Sequence, residues 1–269
     1  DKFLSEHDGM LHKEYRLEKL KDSSVLAKPD NLNNPNVKTS AFPGYRRADS
    51  PLRKLKKVSQ LDWDHPVKKY IQKRMIPNRY HAKLFYCPKF YQWTNSIVPG
   101  KFKEELKDEA RLIIPLLDEK SNMFGFQGRS LSSKNTLRYI TILIDDSRSK
   151  LYGLDDVNPS KVVYVVEGPF DSMFVGNAIA MTGSDATIPF NKYVMVYDNE
   201  PRNEAIVSKM EKSINMGRKV VVWPGRLEHK DINDMVMAGM RTADIKLMID
   251  ENTFEGLSAK MALNVWKRI

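Results

Sequence analysis

The sequence predicts an α/β protein whose central parallel sheet is flanked by helices. Three short, almost continuously apolar runs, KVVYVV (161–166), NKYVMVY (191–197) and RKVVVW (218–223), alternate with segments of helical pattern. Such runs are typical of strands buried on both faces, and strands alternating with helices build parallel sheets. A basic lobe of mixed α/β pattern precedes this part, and helices follow it.

The composition divides the chain of 269 residues into four parts. Residues 1–52 form an arm or linker, because a charged, helix-like start gives way to a stretch rich in Asn, Pro and Ser. Residues 53–157 form the basic lobe, 158–240 the parallel-sheet domain, and 241–269 a C-terminal helical segment. This last segment either packs back onto the sheet or offers an apolar face to a partner.

Two helices of the parallel-sheet domain carry start signals. Pro169 suits the first position of a helix after the first strand, and Asp171 lies in its first turn, where the helix dipole favours a negative charge. We expect the apolar stripe of this helix to contain Phe170, Met173, Phe174 and Ala178. The second helix is predicted over 201–217, with proline at its start and glycine at its end.

Charge is unevenly distributed along the chain. Residues 51–150 hold 21 Lys and Arg against 10 Asp and Glu, whereas residues 151–200 hold 2 against 7. The basic segments PLRKLKK (51–57), VKKYIQKR (67–74) and RYHAKLFYCPKFYQW (79–93) interleave cations with aromatic residues. Cations hold phosphates and aromatic faces stack on unpaired bases, so this pattern favours a single-strand groove. A solvated basic face remains the alternative.

Acidic residues follow three predicted strands in succession. Glu167 follows the first strand, Asp198 and Glu200 follow the second, and Asp231 and Asp234 follow the third. The carboxyl ends of parallel strands share one edge of a sheet, where ligands bind. Carboxylates gathered there would repel one another, and Mg²⁺ with its hard oxygen ligands would remove the conflict. The alternative is that each acid only caps a helix or closes a turn.

The predicted strand ends carry three acidic motifs, VVEGPFD (165–171), VYDNE (196–200) and KDIND (230–234). In this combination they resemble the motifs of the Toprim-type DNA primases, and among them the T4-type bacteriophage primases. Upstream, RLIIPLLDEKSNMFGFQGRSL (111–131) is similar to the Arg, apolar-Pro, Asp, Gly-Phe-x-Gly-Arg motif of these enzymes. KLYGL (150–154) and HPVKKYIQKRMIPNRYHAKLFYCP (65–88) extend the resemblance to about 65–240.

The resemblance implies a Toprim catalytic domain over 158–240 that makes RNA primers on single-stranded DNA with Mg²⁺ or Mn²⁺. It implies catalytic roles for Glu167, Asp198 and Asp231, and metal binding by these three together with Glu200 and Asp234. Candidates for the nucleotide phosphates are Arg129 and Lys230. Candidates for DNA binding are Lys68, Lys69, Arg74, Lys134 and Arg138.

The implied partners are single-stranded DNA, ribonucleoside triphosphates, the RNA primer and a hexameric replicative helicase, with no membrane. The family also carries a zinc-binding module, and a chain with one cysteine, Cys87, cannot form it. We therefore expect the catalytic part of a longer protein, without zinc, in a reducing cytoplasm (the host's, for a phage protein). The arm, 1–52, is the first candidate for docking the helicase.

Two departures from the family pattern affect the metal site. The second acidic motif is Asp-Asn-Glu rather than Asp-x-Asp, and Asn233 stands where some relatives carry Asp. Two other functions stay open at this point. A Toprim nuclease would use the same metals to cut DNA, and a single-strand-binding adaptor would use the basic lobe without catalysis.

Overall fold

The computed structural model of the protein describes residues 50–104, 106–132, 137–183 and 186–269. Lys134 and nearly all of the predicted arm, 1–52, lie outside these ranges. The described residues form two sheets with helices around them, as the predicted α/β class requires.

The first sheet is antiparallel and lies in the basic lobe. Its five strands pair in chain order. They are β1 (Lys56–Lys57), β2 (Phe85–Cys87), β3 (Arg111–Leu117), β4 (Met123–Ser130) and β5 (Tyr139–Leu143). Helices α1 (Pro66–Lys73), α2 (Asn78–His81) and α3 (Phe90–Asn95), with 3₁₀ turns at Pro51–Lys54 and Val58–Gln60, complete the lobe.

The second sheet is the predicted parallel one, extended by an antiparallel strand at each edge. Its order is β11, β10, β9, β7, β8, β6, and the four inner strands run parallel. The strands are β6 (Leu151–Tyr152), β7 (Val163–Val166), β8 (Ala178–Met181), β9 (Tyr193–Val196), β10 (Lys219–Val221) and β11 (Thr253–Phe254). The helices are α4 (Pro169–Val175), α5 (Glu204–Asn215), α6 (Ile232–Met237), α7 (Thr242–Glu251) and α8 (Gly256–Trp266).

The structure corrects both predicted helices. Helix α4 begins at Pro169 as expected but ends at Val175, because Gly176 takes a positive φ of 86°. Ala178, predicted on the stripe of this helix, instead begins β8, a parallel strand that the sequence analysis missed. Its residues AIAM are too short an apolar run to separate from a helix end by pattern alone.

Helix α5 begins three residues later than predicted. Asn203 caps it, since its Oδ1 accepts a hydrogen bond from the N–H of Ala205, 3.1 Å away. Pro201 therefore lies in the preceding turn rather than at the first helical position. The C-terminal end of this helix agrees with the prediction, because Gly217 follows it with a φ of 73°.

The apolar core joins the two sheets. The large cluster includes Leu112, Ile114 and Leu116 of the antiparallel sheet together with the parallel strands. A smaller cluster fills the other face of the antiparallel sheet around Phe90, Trp93 and Phe126. Leu52 is buried in this smaller cluster, so the final residues of the predicted arm pack with the lobe.

The C-terminal segment packs onto the parallel sheet, which is the first of the two alternatives above. Strand β11 pairs with β10, and Ile245, Ile249, Leu263 and Trp266 are buried. Near the end of α8, Val265 is exposed to solvent, and so is the terminal Ile269. In the described part of the chain, none of the helices has the length and apolar character that crossing a lipid bilayer demands.

Candidate active site

The acidic residues predicted from the sequence do meet at one edge of the parallel sheet. Glu167 directly follows β7, and Asp198 lies two residues beyond the end of β9. Asp231 caps α6, where its Oδ1 accepts a hydrogen bond from the N–H of Asp234, 2.7 Å away. The topology of the sheet brings these acids together, because β7 and β9 are neighbours and β10 lies next to β9.

The acids at this edge are disfavoured in their charged form by burial and by one another. Burial raises the pKa of Asp198 to about 8, and the negative charges of Glu167, Asp171 and Asp231 add to the effect. Burial also raises the pKa of Asp231. With a pKa of about 8, the Asp198 carboxyl holds a proton near neutral pH unless a cation binds beside it. A cation bound at this edge would relieve the repulsion among its carboxylates.

Asp171 belongs to this cluster, although the sequence analysis gave it only a helix-dipole role. Its side chain is buried, and its Oδ1 accepts a hydrogen bond from the N–H of Asn233 at 2.8 Å. Burial, followed by the charge of Asp231, raises its pKa. Gly168 permits this position, since a Cβ there would lie 2.6 Å from Oδ2 of Asp171. The signal in the sequence was the second acid four residues after Glu167.

Glu167 and Glu200 are each held by a lysine. Oε1 of Glu167 accepts a hydrogen bond from Lys209 Nζ at 2.7 Å, and its Oε2 accepts from the N–H of Asp198 at 3.3 Å. Glu200 lies 3.2 Å from Lys230 Nζ. Burial disfavours the charge on Lys230, but the hydrogen bond and charge of Glu200 outweigh it and raise the pKa of the lysine.

Asn199, between the two acids of the second motif, holds the loop that carries Lys230. Its Nδ2 donates to the carbonyl oxygens of Leu227 and His229 at 2.8 and 3.0 Å. Its N–H donates to the Lys230 carbonyl at 2.6 Å, and its Oδ1 accepts from Trp266 Nε1 at 3.1 Å. The buried amide therefore fixes this loop beside Asp198 and ties it to the C-terminal helix.

Asn233 connects the acidic edge with the basic lobe. Its Oδ1 accepts a hydrogen bond from Arg74 Nη1 at 3.0 Å, and its Nδ2 donates to the Arg74 carbonyl at 2.7 Å. Arg74 also lies 3.5 Å from Asp234. An aspartate at position 233 could not donate to that carbonyl, so the amide serves the contact between α1 and α6.

Arg129 lines the same cavity as the acids and lies inside an aromatic cage. Its guanidinium lies 4.6 Å from the ring centre of Tyr139, 4.9 Å from Phe170 and 5.3 Å from Tyr70. Burial lowers the pKa of the guanidinium, and the ring faces compensate part of that cost by cation–π attraction. Arg138 lies next to Tyr139 in the chain and lines the same cavity.

One open cavity of about 510 Å³ collects most of the predicted site. Its walls include Glu167, Asp198, Asp231, Asp234, Arg74, Arg129, Arg138 and Lys230 from the predicted set, with Asp171 added. Lys68, Lys69 and Glu200 do not line it, although Glu200 is paired with Lys230, which does. Among the residues that the structure describes, no three His, Cys, Asp or Glu side chains already converge as a metal-binding group.

Comparison with known proteins decides the family. The DNA primase of Enterobacteria phage T4 is 34% identical over 278 residues, which cover 99% of this chain and 78% of the phage protein. The chain belongs to the DNA primase family. No family model matches it. The resemblance inferred from the motifs is therefore confirmed by a comparison that spans 99% of this chain.

Solved primase structures share the fold. The Escherichia coli primase catalytic core superposes with a TM-score of 0.57 at 17% identity, covering 77% of this chain and 79% of that one. The Aquifex aeolicus primase, solved with its zinc-binding and RNA polymerase domains, gives 0.54 at 18%, covering 71% of this chain and 57% of that one. A DnaG primase catalytic domain solved with single-stranded DNA gives 0.55 at 18%, covering 74% and 75%. The predicted Toprim-type fold class is confirmed.

Proposed function

We propose that the acidic edge of this primase holds Mg²⁺ or Mn²⁺ for nucleotidyl transfer. The donor set fits hard divalent cations, because it consists of carboxylates whose charges burial and mutual repulsion disfavour in the absence of an ion. Asp198, Asp231 and Asp171 would hold the ions. Bound there, they would stabilise the charge that develops on the attacking and leaving oxygens.

The chain is a primase, an enzyme that synthesises short RNA primers on single-stranded DNA during replication. In our proposal Arg129 contacts the triphosphate from its aromatic cage, and Lys230 contacts it from the loop that Asn199 holds. Arg138 lines the cavity and would contact the nucleic acid. Glu167 orients the site, since Lys209 and the N–H of Asp198 fix both of its oxygens.

The observation that carries this proposal is the raised pKa of Asp198 inside a cavity whose opposite wall is basic. An adaptor that only bound single strands would have no use for such an acid. The experiment is primer synthesis with ribonucleotides, single-stranded DNA and Mg²⁺, run beside cleavage of labelled DNA without nucleotides. We expect this protein on its own to synthesise primers and to leave the labelled DNA uncut. Cleaved DNA without primers would favour the nuclease alternative.

We assign the helicase contact to the arm rather than to the C-terminal segment, which is committed to the parallel sheet. Leu52 packs in the lobe, so the test removes residues 1–44 and leaves the unit 45–269 intact. The deletion should lower priming stimulated by a hexameric replicative helicase and spare priming by the primase alone. Equal loss in both assays would contradict the assignment.

We further propose that this primase acts in the cytoplasm of the host cell.

A further inference from the structure

The residues at the end of α8 are bonded to two loops of the acidic edge. These are the loop after β9, 197–203, and the loop after β10, 222–231. The N–H of Arg268 donates a hydrogen bond to the Pro201 carbonyl in the first loop at 2.8 Å. Its Nη2 donates to the Gly225 carbonyl in the second loop at 2.9 Å. Arg268 therefore bridges the two loops.

Trp266 makes a further connection to the second loop through the buried amide of Asn199. An indole N–H only donates, so the amide oxygen of Asn199 must face it, 3.1 Å away. The amino group of the amide then faces the 222–231 loop, where it donates to the carbonyls of Leu227 and His229. Trp266 is 4% exposed and Asn199 is 9% exposed, so water cannot easily replace a bond that is lost between them.

Lys230 is the cation that the 222–231 loop contributes to the wall of the cavity. Its carbonyl oxygen accepts a hydrogen bond from the N–H of Asn199 at 2.6 Å, and its Nζ lies 3.2 Å from Glu200. Asn199 therefore holds the backbone of the loop at Lys230 itself as well as just before it. A displaced Asn199 amide would displace the backbone from which the lysine side chain projects.

We propose that Trp266 and Arg268 are positioning residues for nucleotide binding, because they hold the loop that carries Lys230. This inference rests on the function proposed above, in which Lys230 contacts the triphosphate. Neither residue touches the nucleotide. A loop that is already held in place spends less of the binding free energy on its own ordering, so the nucleotide binds more tightly.

The test measures KM and kcat for ribonucleotides in primer extension by Trp266→Phe, which keeps an aromatic ring and removes the N–H. The matched control is Trp93→Phe. Trp93 is also buried, and its Nε1 donates to the Pro51 carbonyl at 3.4 Å in the smaller core cluster of the lobe. Melting temperature and affinity for single-stranded DNA are measured on the same variants.

We expect Trp266→Phe to raise KM for ribonucleotides about 3- to 10-fold, the range that corresponds to one uncharged hydrogen bond. The change in kcat should be smaller, and the affinity for single-stranded DNA should not change. Trp93→Phe should lower the melting temperature in the same way and leave KM unchanged. The split between the two variants distinguishes positioning from a general loss of stability.

A double-mutant cycle with Lys230→Gln tests whether Trp266 acts through the lysine. Lys230→Gln alone should raise KM at least about tenfold, because a charge-assisted hydrogen bond to the triphosphate is lost. Adding Trp266→Phe to Lys230→Gln should then raise KM no further. Two independent effects would instead multiply.

An unchanged KM in Trp266→Phe would overturn the inference, and so would a KM in the double variant equal to the product of the two single effects. If Trp266→Phe does not fold, Arg268→Ala decides by the same two criteria, because Arg268 is an exposed side chain outside the core. An unchanged KM in Lys230→Gln would remove Lys230 from the nucleotide site and overturn the inference with it. The proposed function fails only if the unmodified chain adds no nucleotides.

Discussion

The two walls of the cavity are built in opposite ways. The acidic wall is formed by residues at the ends of parallel strands and at the starts of the helices beside them. Its charges disfavour one another, and this repulsion contributes to the raised pKa of Asp198. The basic wall stands on the antiparallel sheet, where Arg129 has three aromatic rings around its guanidinium. The ring faces offset part of the cost of burying the Arg129 charge, whereas in our proposal the acidic wall is relieved only when a cation binds. The two walls should therefore respond differently to mutation, pH and salt.

The largest effect is expected at the acidic wall. Asp198→Asn removes the charge of a proposed metal ligand and keeps the shape of the side chain. It should lower nucleotide addition by at least about 10²-fold, since stabilisation of developing charge is usually a large catalytic term. Glu167→Gln should also be severely impaired. Primer synthesis on single-stranded DNA and a direct DNA-binding assay measure the two properties separately.

DNA binding by Asp198→Asn should stay within about threefold of the unmodified protein, because the strand is held by phosphate contacts to cations. The matched control is Asp244→Asn, which alters an exposed carboxylate paired with Arg241 on α7. That variant should prime normally. Full primer synthesis by Asp198→Asn would show that this carboxylate does not serve the metal.

A smaller effect is expected at the basic wall. Arg129→Lys keeps the positive charge but cannot stack a planar group against the rings of Tyr139 and Phe170. We expect KM for ribonucleotides to rise about tenfold, with a smaller change in kcat. The control is Arg148→Lys, whose guanidinium lies over Phe124 outside the cavity. If both variants have unchanged KM, Arg129 has a structural role only.

The acidic wall should also couple ion binding to pH. The pKa of Asp198 is raised from 3.8 to about 8, so the folded chain holds a proton there that the unfolded chain has lost. The stability of the ion-free protein should therefore fall as pH rises from about 4 to 8 and then level off. Mg²⁺ needs the carboxylate form, so its binding should release protons near pH 7 and tighten up to about tenfold per pH unit below 8.

Calorimetry in two buffers of different ionisation enthalpy measures that proton release. Asp198→Asn supplies the control, because a carboxamide has no proton to lose. Ion binding with no proton release in the unmodified protein would mean that the ions bind away from Asp198. The apparent heat of binding would then be the same in both buffers.

The sequence predicted the acidic wall better than the basic one, and the reason is physical. Glu167, Asp198 and Asp231 follow strands in sequence, so the parallel topology alone brings them together. Asp171 was underestimated because its burial depends on α6, which packs against α4 only in the fold. No local pattern could show that Asn199 would hydrogen-bond both the loop that carries Lys230 and Trp266 of the C-terminal helix.

The basic lobe shows the limit of reading charge from composition. Lys68, Lys69 and Arg74 look equivalent in the sequence, yet each occupies a different environment. Lys68 Nζ donates to the Val58 carbonyl at 3.0 Å, and Arg74 lies in the cavity against Asn233. Whether a cation on a helix faces solvent, backbone or site depends on what packs against the helix. The DNA-binding roles of these residues remain predictions.

The smallest effect is expected on the outer surface of the lobe, and it separates these lysines. Lys69 Nζ lies 5.6 Å above the ring of Trp63, a side chain that is 77% exposed, so a cation and a stacking surface stand together in solvent. Lys69→Gln should weaken single-strand binding only a few-fold for every sequence and reduce the slope of log K against log salt by about 1, because one phosphate contact is lost. Lys68→Gln should leave that slope unchanged and lower the melting temperature instead, since its nitrogen is tied to the backbone. Fluorescence titrations at several salt concentrations measure both variants, and equal slopes for Lys69→Gln and the unmodified protein would remove Lys69 from the DNA path.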